Sequence, residues 1–195
     1  MAQRRVEYSR QTAETDIRVR IDLDGEGKVQ VDTGLGWADH MLTLLGFWAE
    51  FDLDLQARGD LQVDAHHTLE DVGLCLGEAL RRATGDKAGL ARVGFAKVPL
   101  DEALSEVVVD FSGRPYLVYQ DQVLPDLIFN QEKDVWQEFF KSLAFRAGIN
   151  LHIIYHYGKN GHHLLESACK SLGLALAQAL TLQDTKIKST KGRLD

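Results

Sequence analysis

Hydrophobic and polar residues follow two different periods along this chain, and their order predicts its secondary structure. Apolar residues alternate with charged ones over 17–23 and again over 29–31, on either side of a turn-forming DGEG at 24–27. This period of two predicts a β-hairpin. A helical period over 37–48 and a further alternation over 51–57 then predict a helix followed by a strand.

The second half of the chain repeats this order of patterns. Its predicted strands and first helix occupy, in chain order, residues 106–111, 115–119, 135–148 (the helix) and 149–157. A second helix closes each half, so both halves have the order β-β-α-β-α. We therefore predict a duplicated α+β fold with two halves, 1–90 and 91–195, each a small mixed sheet with helices on one face. Residues 122–134 are predicted to be a loop.

The closing helices begin with the same motif, His-His-x-x-Glu, at residues 66–70 and 162–166. Superimposing the two copies, which are 96 positions apart, gives nine identities over nineteen positions. Asp64 and Asn160 stand two residues before the first His of each copy and are predicted to cap the helix with their side-chain oxygens. A repeat of this length supports a duplicated fold.

Helix geometry places this motif away from the core of its own half. At about 100° per residue, the two His and the Glu of residues 66–70 share a face that points well away from the apolar stripe. Another surface must therefore meet that face, either the other half of the chain or another subunit. Neighbouring His side chains diverge too far to chelate one ion comfortably, so each is expected to serve a different ion.

Two such helices together supply four imidazoles and two carboxylates, which is enough for a two-metal site. Imidazole combined with carboxylate suits Mn, Fe, Co, Ni or Zn. A single copy of the motif would more often be a solvated helix N-terminus. Its occurrence twice at one structural position makes metal binding the favoured interpretation.

Composition and charge exclude several classes of protein. With 45% apolar and 26% charged residues the chain has the composition of an ordinary soluble globule, so a packed core is expected. The 22 basic and 29 acidic residues give a net charge of −7, which argues against general binding to nucleic acid or anionic membrane. The chain has no apolar run near the roughly 20 residues that span a bilayer, and its N-terminus is too polar for a signal peptide. Cys75 and Cys169 are predicted to be buried thiols, and the expected location is the cytoplasm.

Other polar residues are weaker candidates by themselves. His40 could be a further metal ligand or an ordinary residue of a helix face, and the second interpretation is favoured. The pair His152 and His156 is interpreted as an ordinary solvent-facing pair on a strand. Cationic and hydroxyl groups suited to an oxyanion occur in three places, namely Arg92, Arg114 and the tail segment STKG at 189–192.

An ordered set of motifs resembles the imidazoleglycerol-phosphate dehydratases, and it covers nearly the whole chain. In order, the motifs are RQTAET (10–15), DHML (39–42), GDLQVDAHHTLEDVG (59–73), PLDEAL (99–104), DFSGRP (110–115), EFFKSLA (138–144), LHI (151–153) and GKNGHHLLE (158–166). A single one of these motifs could occur by chance, but the whole set in this order is specific for the family.

The resemblance implies a hydro-lyase of histidine biosynthesis that assembles as 24 subunits, with a pair of Mn²⁺ ions per active site at subunit interfaces. The metal ligands it implies are His40, His66, His67, Glu70, Glu138, His162, His163 and Glu166. The phosphate-binding residues it implies are Arg92, Arg114, Ser189, Thr190 and Lys191. Glu14 falls where the family contacts substrate and moves a proton, and Glu70 and Glu166 are the other carboxylates expected to act in catalysis. Glu138 departs from the pattern, since many relatives carry His before the FF pair.

The implied reaction converts imidazoleglycerol phosphate to imidazoleacetol phosphate, and it explains the need for metal. The hydrogen to be removed is on a carbon without an adjacent carbonyl, so a side-chain base alone cannot take it. If both ring nitrogens bind metal, the ring can persist as imidazolate and expel the neighbouring hydroxyl, which acidifies the next C–H. Glu14 is the candidate proton carrier.

Two other functions use similar residues. A two-metal phosphohydrolase also needs clustered His, carboxylates and a phosphate clamp, although such sites usually depend on Asp and a bridging water. A metal-stabilised cage would use the repeated motif to join subunits, but it leaves Glu14 and the basic residues without a purpose.

Overall fold

The computed structural model describes residues 4–194, and each half of the fold contains a four-stranded sheet and two helices. The elements of the first half are β1 (Arg5–Gln11), β2 (Thr15–Asp22), β3 (Val29–Asp32), α1 (Gly36–Ala49), β4 (Asp52–Gly59) and α2 (His66–Thr84). Those of the second half are β5 (Val93–Leu100), β6 (Ala103–Asp110), β7 (Tyr116–Gln120), β8 (Leu127–Ile128), β9 (Gln131–Glu132), α3 (Asp134–Ala147), β10 (Asn150–Tyr157) and α4 (Gly161–Leu180).

The two large sheets have the same topology. Their strand orders are β1-β2-β4-β3 and β5-β6-β10-β7. In both sheets the first two pairings are antiparallel and the last is parallel. The predicted duplicated α+β class with mixed sheets is therefore confirmed. The division at residues 90 and 91 stays a prediction.

The predicted hairpin between 17–23 and 29–31 is wrong. β2 lies between β1 and β4, and β3 instead pairs in parallel with the far edge of β4. The segment that was expected to reverse the chain wraps around Asp52, whose carboxylate accepts the amide hydrogens of Glu26 and Lys28 at 2.8 and 2.9 Å. The chain therefore crosses the end of β4 and does not fold back on β2.

Each half also has one strand more than predicted. β1 and β5 begin the two halves, so the order is β-β-β-α-β-α, with the short β8–β9 hairpin added inside the segment 122–134. β1 carries few apolar residues, and its alternation of exposed and partly buried positions is that of an edge strand. A weak apolar alternation at an edge explains why the pattern did not reveal it.

The helices of the two halves pack against each other. α2 packs on α3, and α4 packs on α1, so each long helix meets the short helix of the other half. Gly77 on α2 lies so close to α3 that an added Cβ would be 2.6 Å from the carbonyl oxygen of Leu143. At Gly173 on α4, the corresponding distance to the carbonyl oxygen of Leu45 is 2.7 Å. This close approach explains why both repeats have glycine here.

Asp64 and Asn160 make the capping hydrogen bonds predicted for them. Asp64 accepts the amide hydrogen of His66 at 2.7 Å, and Asn160 accepts that of His162 at 2.9 Å. Both His pairs are thereby held at the first turn of a long helix. Within residues 4–194, no helix has the length and apolar character needed to cross a membrane.

Candidate metal and anion sites

The contact between α1 and α4 brings together three of the predicted metal ligands. The Nε2 atoms of His40 and His162 lie 3.2 and 3.0 Å from the same oxygen, Oε2 of Glu166. One ligand atom from each of the three residues falls within 4.8 Å of the others. His162 and Glu166 are one helical turn apart, and the close packing of α1 on α4 supplies His40 from the other half.

Glu166 is ionised at neutral pH in this cluster. Its side chain is 13% exposed, and its second oxygen lies 2.7 Å from the ammonium of Lys170. Burial raises the pKa of Glu166, but Lys170, His40 and His162 together lower it to about 2. A carboxylate flanked by two imidazoles is a donor set that suits a divalent cation. Sequence reasoning missed Lys170, although its position four residues after Glu166 was a signal for contact.

An aromatic wall borders the same cluster. The ring of Phe129 lies 5.1 Å from that of His162 in an edge-on arrangement, and it stacks on Trp37 at 5.8 Å. Phe129 and Asn130 form the two-residue turn between β8 and β9, with φ of 55° and 61°. Two consecutive positive φ angles are typical of a type I′ hairpin turn, and they are unusual for a bulky residue such as Phe. The segment predicted to be a loop thus contains a hairpin that packs against a candidate ligand.

The second His of each motif is held by a carboxylate at its Nδ1 atom. Nδ1 of His67 lies 3.0 Å from Asp60 and 3.8 Å from Glu14. Nδ1 of His163 lies 2.7 Å from Glu102. A carboxylate at Nδ1 orients the ring and leaves Nε2 as the nitrogen that is available to a metal ion. Asp60 and Glu102 were not predicted as site residues.

These carboxylates change the acidity of the imidazoles. The hydrogen bond to Asp60, followed by the charge of Glu14, raises the pKa of His67. The hydrogen bond to Glu102 raises the pKa of His163. Glu14, Asp60 and His67 form a second group of three ligand atoms within 4.8 Å. The predicted proton carrier Glu14 therefore lies beside a predicted metal ligand.

The remaining predicted ligands do not converge within one chain. His66 and Glu70 are 3.7 Å apart, and Glu138 pairs with Lys141 at 2.9 Å. Among the described residues, 4–194, these three do not belong to a three-ligand group, and the two His-His pairs do not share one. Glu138 is nevertheless the fifth residue of α3, as His40 is the fifth residue of α1.

All five predicted phosphate-binding residues line one cavity of about 500 Å³. Its lining residues are Arg92, Arg114, Lys188, Ser189, Thr190, Lys191, Arg193 and Leu194. Arg92 donates to both oxygens of Asp110 at 2.6 and 2.9 Å and to the carbonyl oxygen of Lys188 at 2.7 Å. These bonds hold the C-terminal tail against β5 and β6. The result is a strongly cationic concave surface, which suits a phosphate group.

The cation cluster and the anion cavity lie at opposite ends of α4. The amide of Arg92 donates to the carbonyl oxygen of Ala179 at 2.9 Å, in the last turn of the helix, whereas His162 is in its first turn. A separation of seventeen residues corresponds to about 26 Å along a helix axis. A single small molecule cannot contact both sites of one chain.

Comparison with known proteins agrees with this arrangement of residues. The family model described as imidazoleglycerol-phosphate dehydratase matches residues 33–176. Proteins of that name from Maridesulfovibrio salexigens and Solidesulfovibrio magneticus are 60% and 61% identical to the chain, over 100% of each sequence. The chain belongs to the imidazoleglycerol-phosphate dehydratase family.

Solved structures of imidazoleglycerol-phosphate dehydratases share the fold. The Staphylococcus aureus structure has a TM-score of 0.81 and 33% identity, and it covers 91% of this chain and 100% of its own. The Pyrococcus furiosus structure, in complex with (S)-C348, has a TM-score of 0.83 and 37% identity, with coverages of 96% and 100%. The resemblance deduced from the motifs is confirmed, as are the hydro-lyase class and the assignment to histidine biosynthesis.

Proposed function

We propose that this chain dehydrates imidazoleglycerol phosphate to imidazoleacetol phosphate, using two Mn²⁺ ions and sites assembled between copies of the chain. The observation that carries the proposal is the meeting of His40, His162 and Glu166 in a protein that also has a cationic cavity suited to phosphate. A phosphorylated imidazole needs both kinds of site. Family membership supplies the reaction.

The described residues fit a divalent cation. His40, His162 and Glu166 would hold one ion, since two imidazole nitrogens and an ionised carboxylate meet there. His66, Glu70 and Glu138 are the corresponding residues of the other half and would hold the second. His67 and His163, fixed at Nδ1 by carboxylates, are left to offer Nε2 to a neighbouring copy. The bound cations would supply Lewis-acid stabilisation of the charge on a deprotonated imidazole ring.

The reaction also requires proton transfer by the protein. The hydroxyl group leaves the carbon next to the ring, a proton leaves the following carbon, and the enol that results rearranges to the ketone. Glu14 is suited to move that proton, because its exposed carboxylate lies at a hairpin tip beside His67. The anion cavity, with Arg92, Arg114 and Ser189–Lys191, would hold the phosphate and fix the distance between the ring and Glu14.

The length of α4 supports an active site shared between copies. The cation cluster and the anion cavity of one chain are about 26 Å apart along this helix. The three-carbon chain that joins the imidazole to the phosphate is far shorter than that. A substrate whose phosphate is held by one chain would therefore reach the His162 cluster of another chain.

The outer face of the second sheet supports assembly into an oligomer, which we propose to be the 24-subunit form. A row across this sheet consists of Phe95, Val108, His152 and Val118, and Phe95 is 66% exposed. Beside this row, Glu106 lies 2.8 Å from His156 and 3.5 Å from Lys97. The corresponding face of the first sheet also carries ion pairs, such as Glu7 with Arg20 at 3.0 Å. Exposed apolar residues such as Phe95 and Val93, bordered by charged groups, are typical of an interface between subunits. We also propose a cytoplasmic location, supported by the two free, buried thiols Cys75 and Cys169.

The test combines activity, metal content and particle mass on one sample. Protein treated with chelator and then returned to Mn²⁺ should lose and regain imidazoleacetol phosphate formation, without release of inorganic phosphate. Phosphate release would identify a phosphohydrolase, and metal-dependent assembly without turnover would identify a cage. Phe95→Lys should reduce both the particle mass and the activity. Arg18→Lys, on β2 of the first sheet, should leave both unchanged.

A further inference from the structure

A buried carboxylate lies directly beneath the turn that carries Glu14. Asp71 follows Glu70 on α2, is 8% exposed, and is not one of the predicted metal ligands. It accepts a hydrogen bond of 2.5 Å from the hydroxyl of Thr15 and forms an ion pair with Arg10. Both partners lie on the β1–β2 hairpin, one on each strand.

The turn between these strands is closed by its own hydrogen bonds. The hydroxyl oxygen of Thr12 accepts the amide hydrogens of Glu14 and Thr15 at 3.1 and 3.0 Å. The hydroxyls of Thr12 and Thr15 are themselves 3.1 Å apart. A continuous chain of hydrogen bonds therefore runs from the amide of Glu14 through two hydroxyls to the carboxylate of Asp71.

This chain fixes Glu14 relative to the His pair. Asp71 and His67 are on the same first turns of α2, so the hairpin tip is attached to the element that presents the imidazole. The side chain of Glu14 is 57% exposed, and its contact in the described structure is His67 at 3.8 Å. The position of its backbone therefore depends on the turn and on what holds the turn.

The second half lacks this charged attachment. Ser167 occupies the position equivalent to Asp71, and its hydroxyl bonds to that of Ser105 on β6 at 2.6 Å. The same helix-to-strand contact is thus made there by two neutral groups. A buried carboxylate is costly unless it is paired, and in the second half two neutral hydroxyls join the equivalent helix and strand. A charged group at this helix position is therefore not needed to join helix and strand in the second half.

We infer that Asp71 is a positioning residue for Glu14: through Thr15 and Arg10 it holds the β1–β2 turn so that the Glu14 carboxylate lies where a proton must be moved. The inference rests on the proposed function. Displacement of a reacting group by about 1 Å can cost on the order of 100-fold in rate. We expect Asp71→Asn to lower kcat between 10- and 100-fold, with little change in KM or in metal content.

A double-mutant cycle tests this. Glu14→Gln, Asp71→Asn and the double variant are compared with the wild type for kcat, KM, metal content and thermal unfolding. If Asp71 acts through Glu14, the double variant is no slower than Glu14→Gln alone. The inference would be overturned if the reductions in kcat of the two single variants multiplied in the double variant, or if Asp71→Asn had the wild-type kcat. A lower Tm with unchanged kcat per folded molecule would show a merely structural role and would overturn it equally.

Two further variants keep the test decisive. Thr15→Val removes the hydroxyl link but keeps the Arg10–Asp71 pair, so it should lower kcat. This variant gives the test a result if Asp71→Asn does not fold. Thr15→Ser keeps the hydroxyl and should have the wild-type kcat. Ser167→Ala, at the equivalent position, is the matched control and should leave kcat unchanged. Wild-type turnover in the same assay establishes the proposed function, and a slow Glu14→Gln establishes the role of Glu14. If both of these results hold but the double variant is slower than Glu14→Gln, only the role of Asp71 is contradicted.

Discussion

Nε2 of His40 and Oε2 of Glu166 lie 3.2 Å apart, although 126 residues separate them in the chain. The contact joins the two halves at the candidate metal cluster, and Glu166 is the residue that both imidazoles share. We expect Glu166→Gln to weaken Mn²⁺ binding by more than the 10- to 100-fold that loss of an outer partner costs. Calorimetric titration of chelator-treated protein measures this. Glu26→Gln, an exposed carboxylate elsewhere, is the control, and equal affinities in the two variants would contradict the ligand role.

Glu138 and His40 occupy equivalent positions, so the two proposed cation sites differ in one donor. The Glu138 carboxylate is 2.9 Å from the ammonium of Lys141, which competes with a cation for it. Glu138→His should remove this pair and replace a hard oxygen donor with imidazole. The competition between Zn²⁺ and Mn²⁺ should then shift toward Zn²⁺ by about tenfold. Metal analysis after dialysis against both ions measures the ratio. No shift relative to Glu132→His would place Glu138 outside the site.

Phe129 combines an unfavourable backbone conformation with a contact to His162. Phe129→Gly should relieve about 1 kcal/mol of strain but lose two ring contacts and the burial of a partly buried side chain, so the free energy of unfolding should fall by about 2 kcal/mol and the protein should remain folded. Mn²⁺ affinity should still fall by about tenfold, because the imidazole loses the wall that orients it. Asn130→Gly changes the neighbouring positive-φ residue without touching the ring, and it should leave metal affinity unchanged. The hypothesis fails if both variants bind Mn²⁺ as the wild type does.

Glu78 predicts a specific dependence of stability on pH. Its carboxylate is 3% exposed and contacts the guanidinium groups of Arg81, Arg82 and Arg146. The hydrogen bond from Arg81, with the help of the other two, lowers the pKa of Glu78 from 4.5 to about 2. A lowered folded-state pKa stabilises the protein above pH 4.5, and this contribution disappears as the pH falls toward 2.

The free energy of unfolding of the wild type should therefore fall by about 2 kcal/mol more between pH 7 and pH 3 than that of Glu78→Gln. Denaturant titrations at both pH values provide the comparison. Glu26→Gln should retain the wild-type slope. Parallel profiles for the wild type and Glu78→Gln would show that the three arginines do not hold the charge of Glu78 in the native state.

Local patterns predicted the helices and the duplication well, because both depend on residues close together in sequence. Gly77 and Gly173 were identical in the repeat, and the structure explains them by the close approach of a neighbouring helix. β1 was missed since an edge strand needs few apolar residues. The hairpin was wrongly predicted because the turn residues at 24–27 can equally well wrap around a carboxylate. That carboxylate belongs to Asp52, which lies at least 25 positions after the turn in the sequence.

The candidate site was accessible to sequence reasoning to different degrees. The repeated motif drew attention to His162 and Glu166, but spacing alone made His40 an ordinary helix residue. The family resemblance made His40 a predicted ligand. The packing of α1 on α4 explains why His40 lies beside Glu166. Asp60 and Glu102, which hold the second His of each motif, come from turns whose position relative to the helices depends on the tertiary fold. No local pattern contains that information.

The crosswise packing of the helices bears on the origin of the chain. The glycine of each long helix packs against the short helix of the opposite half, so the same contact is made twice with the roles of the halves exchanged. That is the form of an isologous interface between identical partners. A free-standing ancestor of half this length would have exposed both surfaces, and two molecules of it would have closed on each other. Joining two such halves in one polypeptide would make a reversible association permanent, and it would allow equivalent positions such as Asp71 and Ser167, or His40 and Glu138, to diverge.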